Sequence, residues 1–345
     1  MLPKEYAMRV LHCPVEIAGQ MWEYAQGLRA LGVKATALTF YPHSFGYPHD
    51  VCLHVPLKPR TRREKWKLRK NLLNVILRYN VIHFHFGCTL LPNYRDLPLL
   101  RKLGKKMVMS YWGSEVRLPT LAKANNPYFT LIGDYGGREE VISQRLKEVA
   151  HYIKVVAVGD YELYSYVAPF FKEVIIIPSA IDTRRLQPVF FYPNKRVPLV
   201  MHIPSNKAIK GTSYILKAVK RLKSRYRFEF LLLQQMGNQE IREVLKKADI
   251  VVDQLLLGTH GIASLEAMAL GKPVLCYIRD DLINKYPADF PIVNANPETI
   301  ETELQKLLVS PQLRIEIGKR SRAYVEKHHD SRAVAEQLIK VYKSL

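Results

Sequence analysis

The residues with the most chemistry in them fall in a few short stretches. Gly258 to Val274 follows the apolar run Ile250 to Leu257, turns on glycines and reads as a helix from about Ile262 to Leu270. The turn at His260, Gly261 and Ile262 places backbone N–H groups at a helix N-terminus, where unpaired donors and the positive end of the dipole favour a phosphate. Glu266 lies one turn further on, where a carboxylate can accept hydrogen bonds from a pair of sugar hydroxyls; the competing reading is a turn made only for packing. Lys207 and Lys210 precede Gly211 at another helix start, so ammonium charge, amides and dipole converge on a phosphate, unless both are solvated surface lysines. Gly19 and Gln20 open a further helix, whose amides face a diphosphate or an acceptor or else form a bare tight turn. On the strand Val81 to Gly87, alternation puts His83 and His85 on one face. Two such histidines suit a metal, but no carboxylate or cysteine cluster accompanies them in the sequence, which argues against zinc; satisfied core histidines are the alternative. Their strand-end position is where α/β sites form.

The Gly258 to Val274 stretch resembles the nucleotide-sugar motif of retaining, family 4-like glycosyltransferases of the GT-B fold, matching at Gly261, Glu266, Ala267, Met268, Ala269, Gly271 and Pro273. The resemblance implies two Rossmann-like doubly wound α/β domains facing a central cleft, and a nucleotide-diphosphate sugar, UDP- or GDP-linked, as donor substrate with neither cofactor nor metal. It gives Glu266 the nucleotide ribose, Lys210 the diphosphate, and the loop at Gly19 a place facing the cleft. The family's arginine position is Ser205, so Lys207 stands in for that charge. Gly258 stands where the family has a first glutamate, which leaves the donor-sugar contact unassigned; Asp253 and Gln254 are candidates to take it over, or are turn residues. The His-x-His segment matches a motif beside the cleft, with His85 nearer the strand end as the candidate catalytic histidine. Trp112 to Arg117 looks like the family's Gly-Ser-Asp-x-Arg loop, with Tyr111 and Trp112 where many members carry a histidine. There Glu115 is the candidate acid or hydrogen-bond acceptor, and Arg117 could equally be its ion-pair partner.

The elements that must hold these residues follow from periodicity and punctuation. Met8 to Cys13, a helix to about Ala30 stopped by Gly32, and Val33 to Phe40 make a βαβ opening. Further strands are expected at Lys105 to Tyr111, Ile153 to Val158, Glu173 to Pro178, Leu199 to Pro204, Arg227 to Leu233 and Val274 to Tyr277, with weak ones near Ile278 and Ile292. Pro119 to Tyr135 reads as a loop, and the aromatic, proline-rich span Gln187 to Pro198 as a connection. Domains are expected at 1–188 (acceptor binding), 189–328 (nucleotide sugar) and 329–345, a last helix packing back on the first domain. Lys58 to Lys70 crowds eight cations around Trp66 with Glu64 alone opposing them, and runs on into a helix with Leu72, Leu73, Ile76 and Leu77. A basic amphipathic helix of this kind suits an anionic membrane surface, or is a core helix with a solvated face.

A chain of 345 residues fits two domains, and a net charge of +21 attracts polyanions without selecting one. Cys13, Cys52, Cys88 and Cys276 show no Cys-x-x-Cys spacing, so neither a disulfide framework nor a zinc site is expected. Without an apolar secretory core in Met1 to Arg9 or a membrane-length apolar run, a cytoplasmic protein is expected, open to peripheral contact with the inner face of the membrane. The function expected is transfer of a sugar to a glycan, lipid-linked or other cell-surface precursor, with retention. A nucleotide-sugar epimerase or a catalytically silent nucleotide-sugar-binding homologue is the alternative, motivated by Gly258. Nucleic-acid binding rests on charge alone and ranks last, since no groove-reading module is visible.

Overall fold

Short runs rich in valine and isoleucine alternate with helices stopped by glycine or proline, and such alternation builds parallel sheets covered on both faces. The computed structural model describes residues 8–56, 58–133, 137–190, 197–234 and 236–345; half of the connection expected at Gln187 to Pro198, and most of the segment Met1 to Arg9, lie outside them. The elements in chain order are β1 (Arg9–Cys13), α1 (Gln20–Ala30), β2 (Lys34–Thr39), β3 (Val51–Cys52), α2 (Arg62–Arg78), β4 (Val81–His85), α3 (Leu97–Lys102), β5 (Lys106–Tyr111), α4 (Pro119–Asn125), α5 (Glu139–Tyr152), β6 (Val155–Val158), α6 (Tyr161–Val167) and β7 (Glu173–Ile176). They continue with β8 (Leu199–His202), α7 (Lys207–Lys210), α8 (Thr212–Lys223), β9 (Glu229–Leu232), α9 (Asn238–Leu245), β10 (Ile250–Val252), α10 (Ile262–Ala269), β11 (Val274–Cys276), α11 (Asp280–Ile283), β12 (Val293–Asn294), α12 (Ile300–Val309), α13 (Pro311–His328) and α14 (Ser331–Ser344). Among the described residues, 8–118, 137–180 and 331–345 form one compact unit, and 119–133 with 181–330 form a second.

The first unit is a seven-stranded parallel sheet in the order β3-β2-β1-β4-β5-β6-β7. Its strand order reverses between β1 and β4, the switch point at whose carboxyl edge open α/β sheets bind ligands. Val10, Met21, Leu28, Val81, Val108, Val334 and Leu338 are buried together, joining the sheet to α1 and α14. Gly27 lets these two helices meet, because a Cβ there would fall 2.0 Å from the Ser331 carbonyl oxygen. The second unit is a five-stranded parallel sheet, β12-β11-β10-β8-β9, with its switch point between β8 and β10. Val200, Ile215, Leu222, Ile250, Leu275 and Leu304 form its core with α8 and α12.

Helix α2 begins with a capping box, in which Thr61 accepts from the Glu64 amide and Glu64 accepts from the Thr61 amide. It buries Leu68, Leu72 and Val75 against the first unit. Trp66, Leu73 and Leu77, which helical spacing sets on the opposite side, are 62%, 57% and 69% exposed. Arg62, Arg63, Arg69 and Lys70 flank this outer stripe, and the Lys70 ammonium lies 5.2 Å from the Trp66 ring centre. The core-helix reading therefore holds on the inner face, while the outer face is an exposed apolar stripe flanked by cations.

Two local expectations change. Pro119 to Tyr135, read as a loop, carries α4 and a 3₁₀ turn at Phe129–Ile132, and Asn126 Nδ2 donates to Leu256 O at 2.8 Å in the second unit. The span lacked sustained apolar periodicity because α4 buries a single residue, Ala122. Near Ile278 no strand forms; the Asn294 amide instead exchanges hydrogen bonds with the Ile278 backbone, at 2.8 and 3.0 Å, in the manner of a ladder rung.

Candidate functional site

In the second unit the loops leaving β8 and β10 meet at the switch point. Leu255 N–H donates to Lys210 O, 3.1 Å, and ties the loops together. Lys210 ends α7, a single turn capped by Asn206, and its ammonium lies 2.7 Å from Asp253 Oδ1. Asp253 Oδ2 accepts from the Gly261 amide at 2.9 Å and the Ser264 hydroxyl at 2.7 Å. A lysine, a helix N-terminus and a hydroxyl thus converge on one carboxylate whose side chain is 1% exposed. Burial pushes Asp253 up, but the Lys210 charge and the three hydrogen bonds outweigh it and hold the carboxyl below its ordinary value. Gly261 suits this packing: a Cβ would stand 3.0 Å from both Asp253 Oδ2 and Lys210 Nζ and press on their ion pair. Asp253 and Gln254 are internally engaged, Gln254 donating to Thr259 O.

His202 on β8 supports the arrangement from beneath. It is buried, its pKa is lowered by burial to about 4, and it is therefore neutral. Nδ1 lies 2.8 Å from Val252 O, which only accepts, so Nδ1 carries the proton and Nε2 accepts from Thr212 Oγ1 at 2.8 Å. One imidazole thereby joins β8, β10 and the start of α8.

Glu266 lies one turn into α10 and is buried. Its Oε1 accepts from Arg242 Nε at 2.8 Å and Asn238 Nδ2 at 3.2 Å, both on α9. Lys207 is exposed at the start of α7, and Ile262 is half-buried at the start of α10. His260 is half-buried, with the rings of Tyr286, Phe290 and His329 about it at 5.8, 6.0 and 5.9 Å. Gly258 adopts φ +81°, and a Cβ there would fall 2.4 Å from Arg279 Cγ. Arg279 is itself locked to Asp281 at 2.7 and 2.9 Å, so the position of the family's first glutamate is closed by a fixed side chain.

In the first unit, register places His12 on β1 opposite His83 on β4, and His12, His83 and His85 are fully buried together. Buried imidazoles must find partners, and five of the six ring nitrogens have them. His83 meets Tyr342 OH and Ser110 Oγ, each at 2.6 Å; His85 Nε2 meets His12 Nδ1 at 3.0 Å; and Trp112 Nε1 donates to His85 Nδ1 at 3.3 Å. An indole can only donate, so neutral His85 carries its proton on Nε2 and passes it toward His12 Nδ1. The His12 proton is then on Nε2, a buried donor without a partner among the described residues. Burial, then the neighbouring His83, pushes His12 and His85 well below the usual histidine range, and burial takes His83 to about 3. His85 thus lies stacked 5.9 Å from the Trp112 ring with both nitrogens engaged, and it fixes Trp112.

Glu115 follows in the same loop. Its Oε1 accepts from the Trp112 amide, while Oε2 and the nearby Tyr111 hydroxyl are buried without hydrogen-bond partners among the described residues. Burial pushes this carboxyl up to about 7. Arg117 pairs with Glu162, at 2.8 to 3.1 Å, and not with Glu115. At the start of α1, Gly19 has φ +81° and Gln20 spends its side chain on Ala180, accepting from its N–H at 2.7 Å and donating to its oxygen at 3.2 Å. The helix amides of Met21 and Trp22 donate to buried Glu16, at 3.1 and 3.3 Å, and burial pushes this carboxyl up to about 7.

The structure therefore brings Lys210 and Gly261 together at the α10 N-terminus, with Glu266 one turn further along that helix turned to α9, and His85 and Glu115 around Trp112. Sequence reasoning missed His12, Glu16, Trp112 as the shared partner, His202 and the Arg242–Asn238 pair. His12 was within reach, since it lies near the end of the first strand, in step with His83; the others carried no local signal.

A family described as glycosyl transferase-like matches residues 212–340. No curated protein matches the chain. Among solved structures, a sucrose-phosphate synthase from Thermosynechococcus elongatus is 14% identical over 97% of this chain and 98% of its own, with a TM-score of 0.67. Anabaena HepE, in complex with UDP and glucose, is 12% identical over 98% and 100%, with a TM-score of 0.66. WaaG, a glycosyltransferase involved in lipopolysaccharide biosynthesis, is 14% identical over 96% and 99%, with a TM-score of 0.62. Residues 212–340 are thus glycosyl transferase-like, and the chain has the fold of the GT-B glycosyltransferases.

Proposed function

We propose that the protein transfers a sugar from a nucleotide-diphosphate donor to a glycan, lipid-linked or other cell-surface precursor, with retention and without a metal. The observation that carries the reading is the convergence of the Lys210 ammonium and the α10 N-terminal amide on the Asp253 carboxylate. These groups already select negative charge, and the diphosphate oxygens compete with Asp253 for them. Stabilising charge on the departing diphosphate is the main demand of glycosyl transfer, and a fixed cation with an aligned helix end supplies it. Lys207, exposed at the start of the preceding turn, adds a second ammonium. Glu266 holds the ribose while Arg242 and Asn238 orient its carboxylate. His260 and Ile262 flank the amides, and Gly19 with Gln20 serves through backbone only. Glu115 is the residue we assign to turnover, with His85 acting through Trp112.

UDP is favoured over GDP by the likeness to HepE, whose structure holds UDP. Titration with UDP, GDP and their sugars, read by thermal shift, tests the reading, since ligand binding to the folded state raises its apparent stability. Stabilisation by no nucleoside diphosphate sinks it. Proton NMR of the product's anomeric configuration tests retention. A nucleotide-sugar epimerase or a silent binder is the second reading, favoured by the closed position at Gly258; release of an isomeric nucleotide sugar, or binding without turnover, would select it.

The outer stripe of α2 supports an acceptor reached at an anionic membrane, its rings and leucines entering the headgroup boundary and its flanking cations meeting lipid phosphates. Among the described residues no helix is long and apolar enough to cross a membrane. Co-sedimentation with anionic vesicles, lost in Trp66→Ser/Leu73→Ser/Leu77→Ser, is the expected result.

A further inference from the structure

The first unit carries a basic pocket at the amino ends of its strands, away from the carboxyl edge that holds His85 and Glu115. It has a volume of about 530 Å³ and is lined by Arg9 at the start of β1, Arg29 at the end of α1, Lys34 at the start of β2, and Arg78 at the end of α2. Four elements thus each contribute one cation to a single depression. Asp50 is the acid that answers them, and it is engaged by Arg29 and by the Ala37 amide at 2.8 Å. Arg29 is held further by donating from Nε to Ala35 O at 2.9 Å, which fixes its guanidinium plane. Arg9, Lys34 and Arg78 form no ion pair among the described residues. Lys105 at the same rim caps the end of α2 through Tyr79 O at 2.8 Å, and burial, then the charge of Arg9, pushes its pKa down. A concave wall with one sign of charge concentrates an anion, and guanidinium forks match phosphate oxygens.

We propose that this pocket binds the phosphomonoester headgroup of an anionic lipid. Phosphate is the chemistry the pocket selects; the assignment to a lipid rests on the membrane reading of α2, because Arg78 adjoins Leu77 of the exposed stripe. A bilayer lying on Trp66, Leu73 and Leu77 brings its headgroup layer to the end of the helix that lines the pocket. The pocket then gives a peripheral protein a preference among anionic lipids that the stripe alone cannot supply.

The full chain is compared with Arg9→Gln/Lys34→Gln/Arg78→Gln and with a charge-matched control, Lys217→Gln/Lys220→Gln/Lys223→Gln on the exposed face of α8. Calorimetric titration uses water-soluble dihexanoyl phosphatidic acid and, separately, inorganic phosphate. The short-chain lipid is expected to bind the native chain and the control alike, and to bind the pocket variant at least about tenfold more weakly. Lys210→Ala is expected to leave this binding unchanged, which separates it from the nucleotide site. Absence of binding to the native chain, or equal affinity in the pocket variant, overturns the pocket. Inorganic phosphate binding as tightly as the lipid overturns the lipid assignment. Vesicles of phosphatidylcholine with phosphatidic acid, or with phosphatidylglycerol at equal surface charge, then separate the two readings. A preference for phosphatidic acid lost in the pocket variant supports both, whereas failure to bind vesicles by a chain that binds the soluble lipid removes the membrane reading and leaves the pocket standing.

Discussion

Both units set a buried carboxylate against a helix N-terminus beside the switch point of a parallel sheet, and the two carboxylates behave oppositely. Glu16 meets the backbone amides of Met21, Trp22 and Ile17 with no cation beside it, and burial, with the nearby Glu23 charge adding a little, drives it up to about 7. Asp253 meets the Gly261 amide, a hydroxyl and the Lys210 ammonium, and is held below its ordinary value although it is as deeply buried. The contrast teaches that a helix end alone does not keep a buried carboxylate ionised, whereas a helix end with a fixed cation does. The second unit therefore holds its buried carboxylate ionised beside a fixed cation, and the first unit has a carboxyl raised to about 7.

The comparison breaks most readily at Lys210. Lys210→Ala leaves Asp253 buried without its cation, at an expected cost of about 3 to 5 kcal/mol in denaturant unfolding and with loss of nucleoside diphosphate affinity. Little change in either would mean that the amide and hydroxyl suffice and that the contrast with Glu16 has another cause.

Next in size is the pH dependence. The folded-state pKa of Glu16 is raised from 4.5 to about 7, so its stabilising contribution is full below the lower value and is lost as pH rises through the upper. Glu16→Gln should flatten the fall in stability over this window by on the order of 3 kcal/mol, leaving the slope that Glu115 supplies over the same window. Asp253 is shifted the other way, so its contribution is lost only as pH falls below the ordinary carboxylate range. Asp253→Asn should therefore leave the slope between about pH 5 and 8 as it was. Urea midpoints across that range decide; equal slopes for native chain and Glu16→Gln would remove Glu16 as a titrating group.

Kinetics sharpen the division of labour between the units. Glu266→Ala should weaken donor binding about tenfold with a smaller effect on kcat, and Glu115→Ala should lower kcat with donor KM nearly unchanged. The reverse pattern would exchange their roles. Smallest of all, Trp112→Phe removes the donor that sets the His85 tautomer, at a cost of about 1 kcal/mol. Nitrogen NMR of the imidazoles should then show His85 and His12 released from a single tautomer.

Element order, parallel sheets and the glycine-bounded α10 were legible because they depend on neighbours a few residues apart: periodicity, caps, and the glycine and proline that end helices. Lys210 and Glu266 were legible for the same reason, each beside a local helix signal. The partners of these residues were not. Asp253 reaches Lys210 across 43 residues, and His12 reaches His85 across 73. Arg117 lay two residues from Glu115 in the chain, yet it turned to Glu162 across 45 residues.

The sequence by itself thus determined which segments become strands and helices and which side chains have the chemistry to matter. Tertiary structure alone decided the charge state and availability of those side chains, since pKa, tautomer and occupancy depend on what strand order and crossover connections bring within about 3 Å, the reach of a hydrogen bond. The four cations of the basic pocket illustrate the point: they lie on four elements spread through the first 78 residues, and the parallel pairing of β1 with β2 on one side and β4 on the other brings them to one depression.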